Sequence, residues 1–417
     1  MDIGNHRLRA PDKEPQAGVS PDGLSASLGS GPRMKALWNR PMSPTGRSGS
    51  QHLWVVGALS LSLVGSGCSI QAGPELVPAR PGPVGSGQPL GYVVCPTSVT
   101  PVELGTRTAE APITLPIRGT PPLGSFAVAT SPDGRSAYVV TSSTTRAGTV
   151  DNVVVPIDLA TQRAQTPIVL PGRGGTHAVV VMHDGKTVLA ASGTTIVPVD
   201  AAHRSVGTPL DLGSGRTAFS MALSPTSPVL YVLVEGGVLP VDTATATVGS
   251  MIPTGLSISS VSSPHGVIVA ADGATIYAVG HGGADFGGRM VSITVATGAV
   301  GSTTSFDKFG IADPAALAMV IGGATILMAD SGNNWVVPMP TADLATPSGP
   351  VRLPAGGGVS AGSPSSHPSD IVVGPGATGA FVVAGLNAVL PFDPTTNTFG
   401  RAVKVCSGAA SMAVAGA

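Results

Sequence analysis

The stretch SPDGRSAYVV (Ser131–Val140), followed by PIDLATQRAQTPI (Pro156–Ile168), decides the fold, because variants of it recur along the chain. Asp-Gly between two apolar runs predicts a tight hairpin. The apolar run that ends in Asp158, with Thr161 three residues later, predicts a further strand and a turn, since the Asp side chain can accept hydrogen bonds from backbone N–H groups just ahead of it. Each copy therefore predicts four strands, here A to D.

The C-strand ending of this unit has seven copies. They are SVTPVELGT (Ser98–Thr106), VVVPIDLAT (Val153–Thr161), TIVPVDAAH (Thr195–His203), GVLPVDTAT (Gly237–Thr245), MVSITVATG (Met290–Gly298), WVVPMPTAD (Trp335–Asp343) and AVLPFDPTT (Ala388–Thr396). Metal ligation by the aspartates is the alternative interpretation. Turn chemistry is favoured, because the same position recurs in copy after copy.

The hairpins allow the units to be counted. Six complete units, blades 1 to 6, start near residues 126, 177, 219, 265, 315 and 369. An incomplete unit opens the repeat with three strands, and SMAVAGA (Ser411–Ala417) supplies an unpaired A strand at the end. The sequence therefore predicts an all-β, seven-bladed β-propeller of four-stranded blades over residues 90–417. Its closing blade, blade 7, is shared between N- and C-terminal strands, which leaves no free sheet edge.

The quoted unit resembles the repeat of YVTN-type β-propellers, which lie close to the lactonase-like superfamily. The resemblance covers roughly residues 90–417. It implies the propeller fold and says little about activity, because such propellers include binding proteins and enzymes.

The N-terminal region indicates export. The run LWVVGALSLSLV (53–64) is too short to span a bilayer and has the length of a signal-peptide h-region. Small residues and then Cys68 follow, which resembles a bacterial lipoprotein signal, although Gly65 stands where that signal usually has Leu. We expect lipidation of Cys68 and a membrane-anchored lipoprotein on the extracytoplasmic side, or a secreted protein if Cys68 carries no lipid.

The predicted domain boundaries follow from this signal. Residues 1–67 are expected to be an unstructured leader plus signal peptide, with translation starting at Met1, Met34 or Met42. Residues 68–89 are rich in Pro and Gly and predict an extended tether.

Composition narrows the function classes. Charged residues make up only 11% of the chain and the formal net charge is −1, so no basic field favours nucleic acid. The three cysteines form no CxxC pair, which argues against a zinc or thioredoxin-type motif. Cys95 and Cys406 flank the two halves of the closing blade, and in an oxidising compartment we expect them to form a disulfide.

No catalytic motif stands in the context that it needs. Gly358–Gly362 matches GxSxG but lies in a loop with no helix after it. Ser305–Lys308 matches SxxK, again where no helix is expected. We therefore assign no catalytic residue, no metal ligand and no cofactor, and lean against an enzyme.

Loop length divides the predicted propeller into two faces. The A–B and C–D turns are short, whereas the longer insertions fall in the B–C and D–A loops of the opposite face, where function is more often found. The predicted binding residues are on that looped face, near blades 4 to 6: His281, Asp285, Arg289, Lys308, Asn333, Asn334 and Trp335. A packing role between blades is the alternative for Trp335. Candidates at the channel mouth are His177, His265 and Asp370, with solvated rim residues as the alternative.

The leading function hypothesis is a binding or scaffold module at the cell envelope. It would recognise a protein, peptide or glycan through the looped face, as a monomer that contacts the membrane through its lipid anchor only. The alternative is a lactonase-like hydrolase or lyase that acts on a small molecule in the central channel. A third possibility is a structural envelope component without a ligand. The A strands are mostly Ala, Val, Ser and Gly, which favours binding over catalysis.

Overall fold

A computed structural model describes residues 89–118, 126–144, 150–172, 174–258, 265–282, 287–320, 322–354, 367–374, 379–384 and 387–415. The predicted leader, the h-region, Cys68 and all of the tether except residue 89 lie outside the described residues. Within them, no helix has the length and apolarity needed to cross a membrane.

The described chain folds into seven antiparallel sheets, each a blade. Blade 1 contains β5 (Ala127–Thr130), β6 (Ser136–Thr144), β7 (Val150–Asp158), β8 (Arg163–Ala164) and β9 (Ile168–Val169). Blade 2 contains β10 (Val179–Val181), β11 (Thr187–Ser192), β12 (Thr195–Asp200) and β13 (Leu210–Asp211). Blade 3 contains β14 (Ser220–Leu223), β15 (Val229–Val234), β16 (Gly237–Asp242), β17 (Thr247–Val248) and β18 (Ile252–Pro253).

Blade 4 contains β19 (Val267–Val269), β20 (Thr275–His281), β21 (Gly288–Thr294), β22 (Ala299–Val300) and β23 (Thr304–Ser305). A 3-10 turn, η1 (Asp307–Phe309), leads to blade 5, which contains β24 (Pro314–Met319), β25 (Thr325–Asp330), β26 (Trp335–Pro340) and β27 (Val351–Arg352). Blade 6 contains β28 (Pro368–Val373), β29 (Ala380–Ala384), β30 (Ala388–Asp393), β31 (Thr398–Phe399) and β32 (Val403–Lys404).

Blade 7 joins the two ends of the ring. It contains β1 (Leu90–Val94), β2 (Ser98–Glu103), β3 (Thr108–Ala109) and β4 (Ile113–Thr114), with β33 (Ser411–Val414) as its A strand. β33 pairs with β1 in antiparallel register, with Tyr92 opposite Ala413. The predicted closure by strands from both parts of the chain is therefore confirmed.

A disulfide between Cys95 and Cys406 crosses the same blade. Cys95 follows β1 and Cys406 precedes β33, and their Cα atoms are 6.2 Å apart although the two residues are separated by 311 positions in the sequence. This confirms the predicted pairing. It follows from topology, because strand closure places the two connecting segments at the same end of blade 7.

The aspartates that end the C strands act in turns, as predicted. Asp158 Oδ1 accepts the Thr161 N–H at 2.9 Å, and Asp242 Oδ1 accepts the Thr245 N–H at 2.9 Å. In five blades, the residue that follows this turn has a left-handed backbone although it is not glycine. Its φ lies between 52° and 59°, at Arg107, Gln162, Arg204, Ala246 and Asn397. This feature was not predicted from the sequence.

The core consists of seven apolar clusters, one between each pair of neighbouring blades. Side chains alternate between the two surfaces of a strand, so each blade packs against both neighbours. In β6, Ala137 and Val139 join the cluster with blade 7, whereas Tyr138 and Val140 join the cluster with blade 2. The A strands line the ring centre, and the loops at their ends position the candidate site.

The D strands differ from the expected continuous strands, since in five blades D consists of two short paired segments. In six blades the middle of strand C is proline: Pro101, Pro156, Pro198, Pro240, Pro338 and Pro391. The carbonyl of Pro156 points to strand D and accepts the Gln165 N–H at 2.8 Å. An N–H at this position would also point to strand D, so proline removes one hydrogen bond between strands C and D. Blade 4 splits in the same way with Ser292 at this position, so proline favours the break without being required for it.

Candidate functional site

The connections between strands create two faces, because alternate turns of an antiparallel blade lie at the same end. We call the face with the A–B and C–D turns the plain face and the opposite one the looped face. The η1 turn lies on the looped face, in the D–A loop between blades 4 and 5.

His281 and Asp313 link blades 4 and 5 on the looped face. His281 ends β20 and is 9% exposed, and its Nε2 lies 3.0 Å from Asp313 Oδ1. Ser331, which follows β25, donates its hydroxyl to the other oxygen of Asp313. One carboxylate therefore connects a B strand, a D–A loop and a B–C turn.

Asp330 holds the same loops from the interior. It is the last residue of β25 and is fully buried. Oδ1 accepts the N–H groups of Asp313 at 2.9 Å and Gly332 at 3.2 Å, and Oδ2 accepts Asn333 Nδ2 at 2.8 Å. Burial raises the pKa of Asp330, against these hydrogen bonds, which lower it. We call His281, Asp313, Asp330, Ser331 and Asn333 the blade 4–5 network.

Three predicted binding residues form the turn into β26. Asn333 also donates to the Gly310 carbonyl at 2.6 Å, so its side chain ties the turn to the η1 segment. Asn334 has a left-handed backbone, with φ 61°. Trp335 is half-buried and packs against the apolar cluster between blades 4 and 5. The Asn333 side chain therefore holds two loops together, whereas Trp335 packs between blades 4 and 5, which is the alternative given for it.

Arg289 and Lys308 lie beside this network. Arg289 Nη1 donates to Asp307 Oδ2 at 3.0 Å and to Ser305 Oγ at 2.6 Å. Hydrogen bonds from Ser305 and Arg289 lower the pKa of Asp307. Lys308 is exposed, with Nζ 4.8 Å from the Phe309 ring centroid. The predicted Asp285 lies outside the described residues.

Two candidates for the channel mouth meet directly. His265, which precedes β19, places Nδ1 2.6 Å from Oδ1 of the fully buried Asp370 in β28, so the pair spans from blade 4 to blade 6. Asp370 Oδ2 accepts the Met412 N–H of blade 7 at 2.9 Å. Burial lowers the pKa of His265, but the charge and hydrogen bond of Asp370 outweigh this and raise it above its usual value. One carboxylate thus joins three blades at the ring centre.

The third candidate, His177, stays apart from this pair. Its ring stacks on Phe219 of blade 3, with centroids 5.9 Å apart. Within the described ranges, no three His, Cys, Asp or Glu side chains converge in a way that could hold a metal ion.

The channel itself is a cavity of about 450 Å³ lined by residues of all seven A strands and by His265. The lining contains Ala129, Val180, Leu223, Ile268, Met319, Val372 and Ala413. The chain is a seven-bladed β-propeller.

Comparison with known proteins supports this fold and goes no further. No family model matches the chain, and no curated protein matches it. Among solved structures, hydrazine synthase of Kuenenia stuttgartiensis aligns with a TM-score of 0.57 and 16% identity, over 72% of this chain and 92% of that one. At this identity the likeness concerns the propeller fold alone, and the resemblance to YVTN-type repeats stays a prediction.

Sequence reasoning found the loops of the site but missed part of its chemistry. Asp313, Asp330 and Ser331 lie in or beside insertions that were expected on the looped face, yet they were not singled out. A signal existed, because strand B ends in a titratable residue only in blade 4, with His281, and blade 5, with Asp330, among the described B strands. Nothing in the sequence indicated that Asp313 would contact both loops.

Proposed function

We propose that this propeller is a binding module that recognises a protein, peptide or glycan through the looped face at blades 4 and 5. The observation that carries the proposal is the cluster of charged groups there, Arg289, Asp307 and Lys308, beside the hydrogen-bonded blade 4–5 network. Groups held in place before binding lose less conformational freedom when a partner docks. Arginine in addition is a residue type often found at interface hot spots.

The lining of the central channel favours binding over catalysis. Its described lining consists of apolar residues and His265, whereas hydrolysis of a lactone calls for several polar groups converging on the reacting atoms. Asp307 and Lys308 are exposed on the looped face, where a large partner can reach them.

The test is capture of a partner from a cell-envelope extract by the full chain. Lys308→Ala removes an exposed charge from the looped face, and Lys186→Ala removes an exposed charge from an A–B turn on the plain face. We expect Lys308→Ala, alone or with Arg289→Ala, to weaken capture by about tenfold, the size typical of a charge-assisted contact. Lys186→Ala should capture as the native chain does. Equal capture by all variants would place the site elsewhere.

The proposed location is the outer side of a membrane, through a lipid on Cys68. The support is the short apolar run 53–64 followed by small residues and Cys68, together with the Cys95–Cys406 disulfide, since such bonds persist in oxidising compartments. Intact mass of the mature protein from its native host tests this. We expect Cys68 to be the N-terminal residue and to carry acyl chains. In detergent phase separation, the native protein should enter the detergent phase and the Cys68→Ser variant should stay in the aqueous phase. An unmodified N-terminus at another residue contradicts the lipid anchor.

A further inference from the structure

A cavity of about 470 Å³ opens on the plain face between blades 6 and 7. Blade 7 lines it with the end of strand C and the C–D turn that carries Arg107, and blade 6 lines it with parts of strands B, C and D. The volume lies within the range of small-molecule pockets, roughly 300–1,000 Å³, in which a few placed polar groups fix the orientation of the ligand.

Strand alternation decides which side chains of blade 6 face this cavity. Phe392 and Phe399 pack in the apolar cluster between blades 5 and 6, so the adjacent Asp393 and Thr398, which lie opposite each other, face blade 7. Phe381 packs in the cluster between blades 6 and 7. The blade 6 side of the cavity therefore combines an apolar floor at Phe381 with a polar wall at Asp393 and Thr398.

Arg107 forms the opposite wall and supplies donors. Among the residues that the structure describes, none accepts a hydrogen bond from its guanidinium group. A Cβ added to Gly400 would lie 2.8 Å from Arg107 Nη1, so this group reaches across to blade 6. At the same turn position in the next two blades, Gln162 Nε2 donates to a side chain of blade 7 at 2.7 Å, and Arg204 Nη2 donates to a backbone carbonyl of blade 1. Arg107 differs from both, because its donors stay available to a ligand.

The blade 6 wall supplies acceptors. Asp393 Oδ2 accepts the Thr396 hydroxyl at 2.9 Å and keeps a second lone pair. Thr396 has only one hydroxyl hydrogen, so the 2.8 Å contact between the Thr396 and Thr398 hydroxyls is a hydrogen bond that Thr398 donates. Thr398 Oγ1 therefore keeps acceptor capacity as well. A donor wall thus faces an acceptor wall across the cavity.

These two walls select the class of ligand. Arg107 and Asp393 carry opposite charges, so the cavity has no net charge and an ionic ligand is attracted by one wall and repelled by the other. A hydroxyl group both donates and accepts hydrogen bonds, so the hydroxyl groups of one molecule can bond to both walls. A sugar ring in addition presents C–H groups that can pack on an aromatic side chain such as Phe381.

We infer that this cavity binds a neutral saccharide, with its hydroxyl groups bonded to Arg107, Asp393 and Thr398 and one face of a sugar ring on Phe381. The site lies on the plain face, apart from the looped-face surface of blades 4 and 5. Either site can therefore fail without the other.

Saturation-transfer NMR titrations of the full chain with the methyl glycosides of mannose, galactose, fucose and N-acetylglucosamine test the inference. We expect at least one to bind, with an affinity that does not change between about 0.05 and 0.5 M salt, because the ligand is uncharged. Arg107→Gln should weaken this binding by about tenfold, the effect of losing a hydrogen bond to a charged donor. Arg163→Gln is the matched control, because Arg163 is an exposed arginine in β8, outside the cavity, and it should leave the affinity unchanged.

A filling variant tests the position of the ligand. Gly379 lines the cavity, and among the described residues the nearest atom to a Cβ added there is the Phe392 carbonyl oxygen, at 3.6 Å. Gly379→Phe should therefore melt cooperatively and lose saccharide binding. Gly400→Val, which displaces the Arg107 guanidinium, makes the same test if Gly379→Phe does not fold, and NMR contacts between sugar protons and the Phe381 ring test it in the native chain.

Four results would overturn the inference. They are no binding of any of the four glycosides, an unchanged affinity in Arg107→Gln, native binding by a folded filling variant, and displacement of the bound glycoside by acetate or inorganic phosphate, which would make the site an anion site.

Discussion

The plain and looped faces use aspartate in opposite ways. On the plain face, Asp158 and Asp242 accept N–H groups three residues ahead, so each turn is complete within its own short segment. On the looped face, Asp313 pairs with a residue 32 positions away, and Asp370 pairs with one 105 positions away. The same side chain thus closes a local turn at one end of a blade and joins separate blades at the other.

The pKa shifts of the aspartates follow their burial. Backbone N–H groups lower the pKa of the exposed Asp200, Asp242 and Asp393. Burial raises the pKa of Asp330 on the looped face. An exposed carboxylate keeps most of its hydration when it accepts local hydrogen bonds. A buried carboxylate loses its hydration, and hydrogen-bond donors from other parts of the fold must compensate for that free energy.

The longest link on the looped face should have the largest effect on stability. Removing the Cys95–Cys406 bond by the double variant Cys95→Ser with Cys406→Ser releases a loop of 311 residues, and we expect a loss on the order of 5 kcal/mol in the free energy of unfolding. Urea unfolding of the variant and of the native chain, oxidised and reduced, measures it. An unchanged urea midpoint after complete reduction would show that strand pairing alone closes the ring.

Asp370→Ala should come next. It leaves the buried Met412 N–H without its acceptor and His265 without its partner, and we expect a loss of about 3 kcal/mol. The matched plain-face variant, Asp242→Ala, should cost much less than Asp370→Ala, because water can replace the turn bonds that Asp242 makes. Chemical denaturation of both variants compares the faces directly. Equal losses would refute the distinction.

His265 and the plain-face turn aspartates should respond to opposite ends of the pH scale. The pKa of His265 is higher in the folded protein than in the unfolded chain. His265 therefore stabilises the fold fully at pH values below its unfolded-state pKa, and this stabilisation is lost as the pH rises through its folded-state pKa. The pKa values of Asp200, Asp242 and Asp393 are lower in the folded protein than in the unfolded chain. These aspartates therefore stabilise the fold at pH values above the unfolded-state pKa of about 4, and this stabilisation is lost as the pH falls through their folded-state pKa values. Melting temperatures across pH should show an alkaline decline that His265→Gln removes and an acid decline that it preserves.

The smallest effect should come from the plain-face turns. Ala246 has φ 54° and Gly298 has φ 66° at the equivalent turn position. Because a Cβ is strained in this conformation, Ala246→Gly should stabilise by roughly 0.5–1 kcal/mol, and Gly298→Ala should destabilise by a similar amount. Thermal unfolding checks both signs. The same sign for the two variants would mean that backbone conformation does not decide this position.

The repeating sequence predicted most of the architecture. Hairpin turns such as SPDG, C strands that end in Asp, and a closing blade assembled from both ends of the repeat were all visible in the residues themselves. The Cys95–Cys406 bond followed, because the blade count placed the two cysteines side by side. These features depend on neighbours along the chain or on counting units.

Two details within the blades could not be predicted from the sequence: the break in the D strands and the left-handed residues after the turns. The break in the D strands depends on which side of strand C the proline carbonyl faces, and that orientation is set only once three strands have paired. The left-handed residues after the turns carry side chains as different as Arg107, Ala246 and Asn397, so no residue type marked them.

By itself, the sequence determined the fold, the number of blades, the closing blade and the turn aspartates, because local hydrogen bonding and strand alternation act over a few residues. Only the tertiary structure decided the partners of His265, His281, Asp313 and Asp370. These contacts join loops that are tens of residues apart, and they exist because seven blades close into a ring and bring one end of each A strand to a common centre. A buried carboxylate takes whichever donors that closure delivers, and the linear pattern does not specify them.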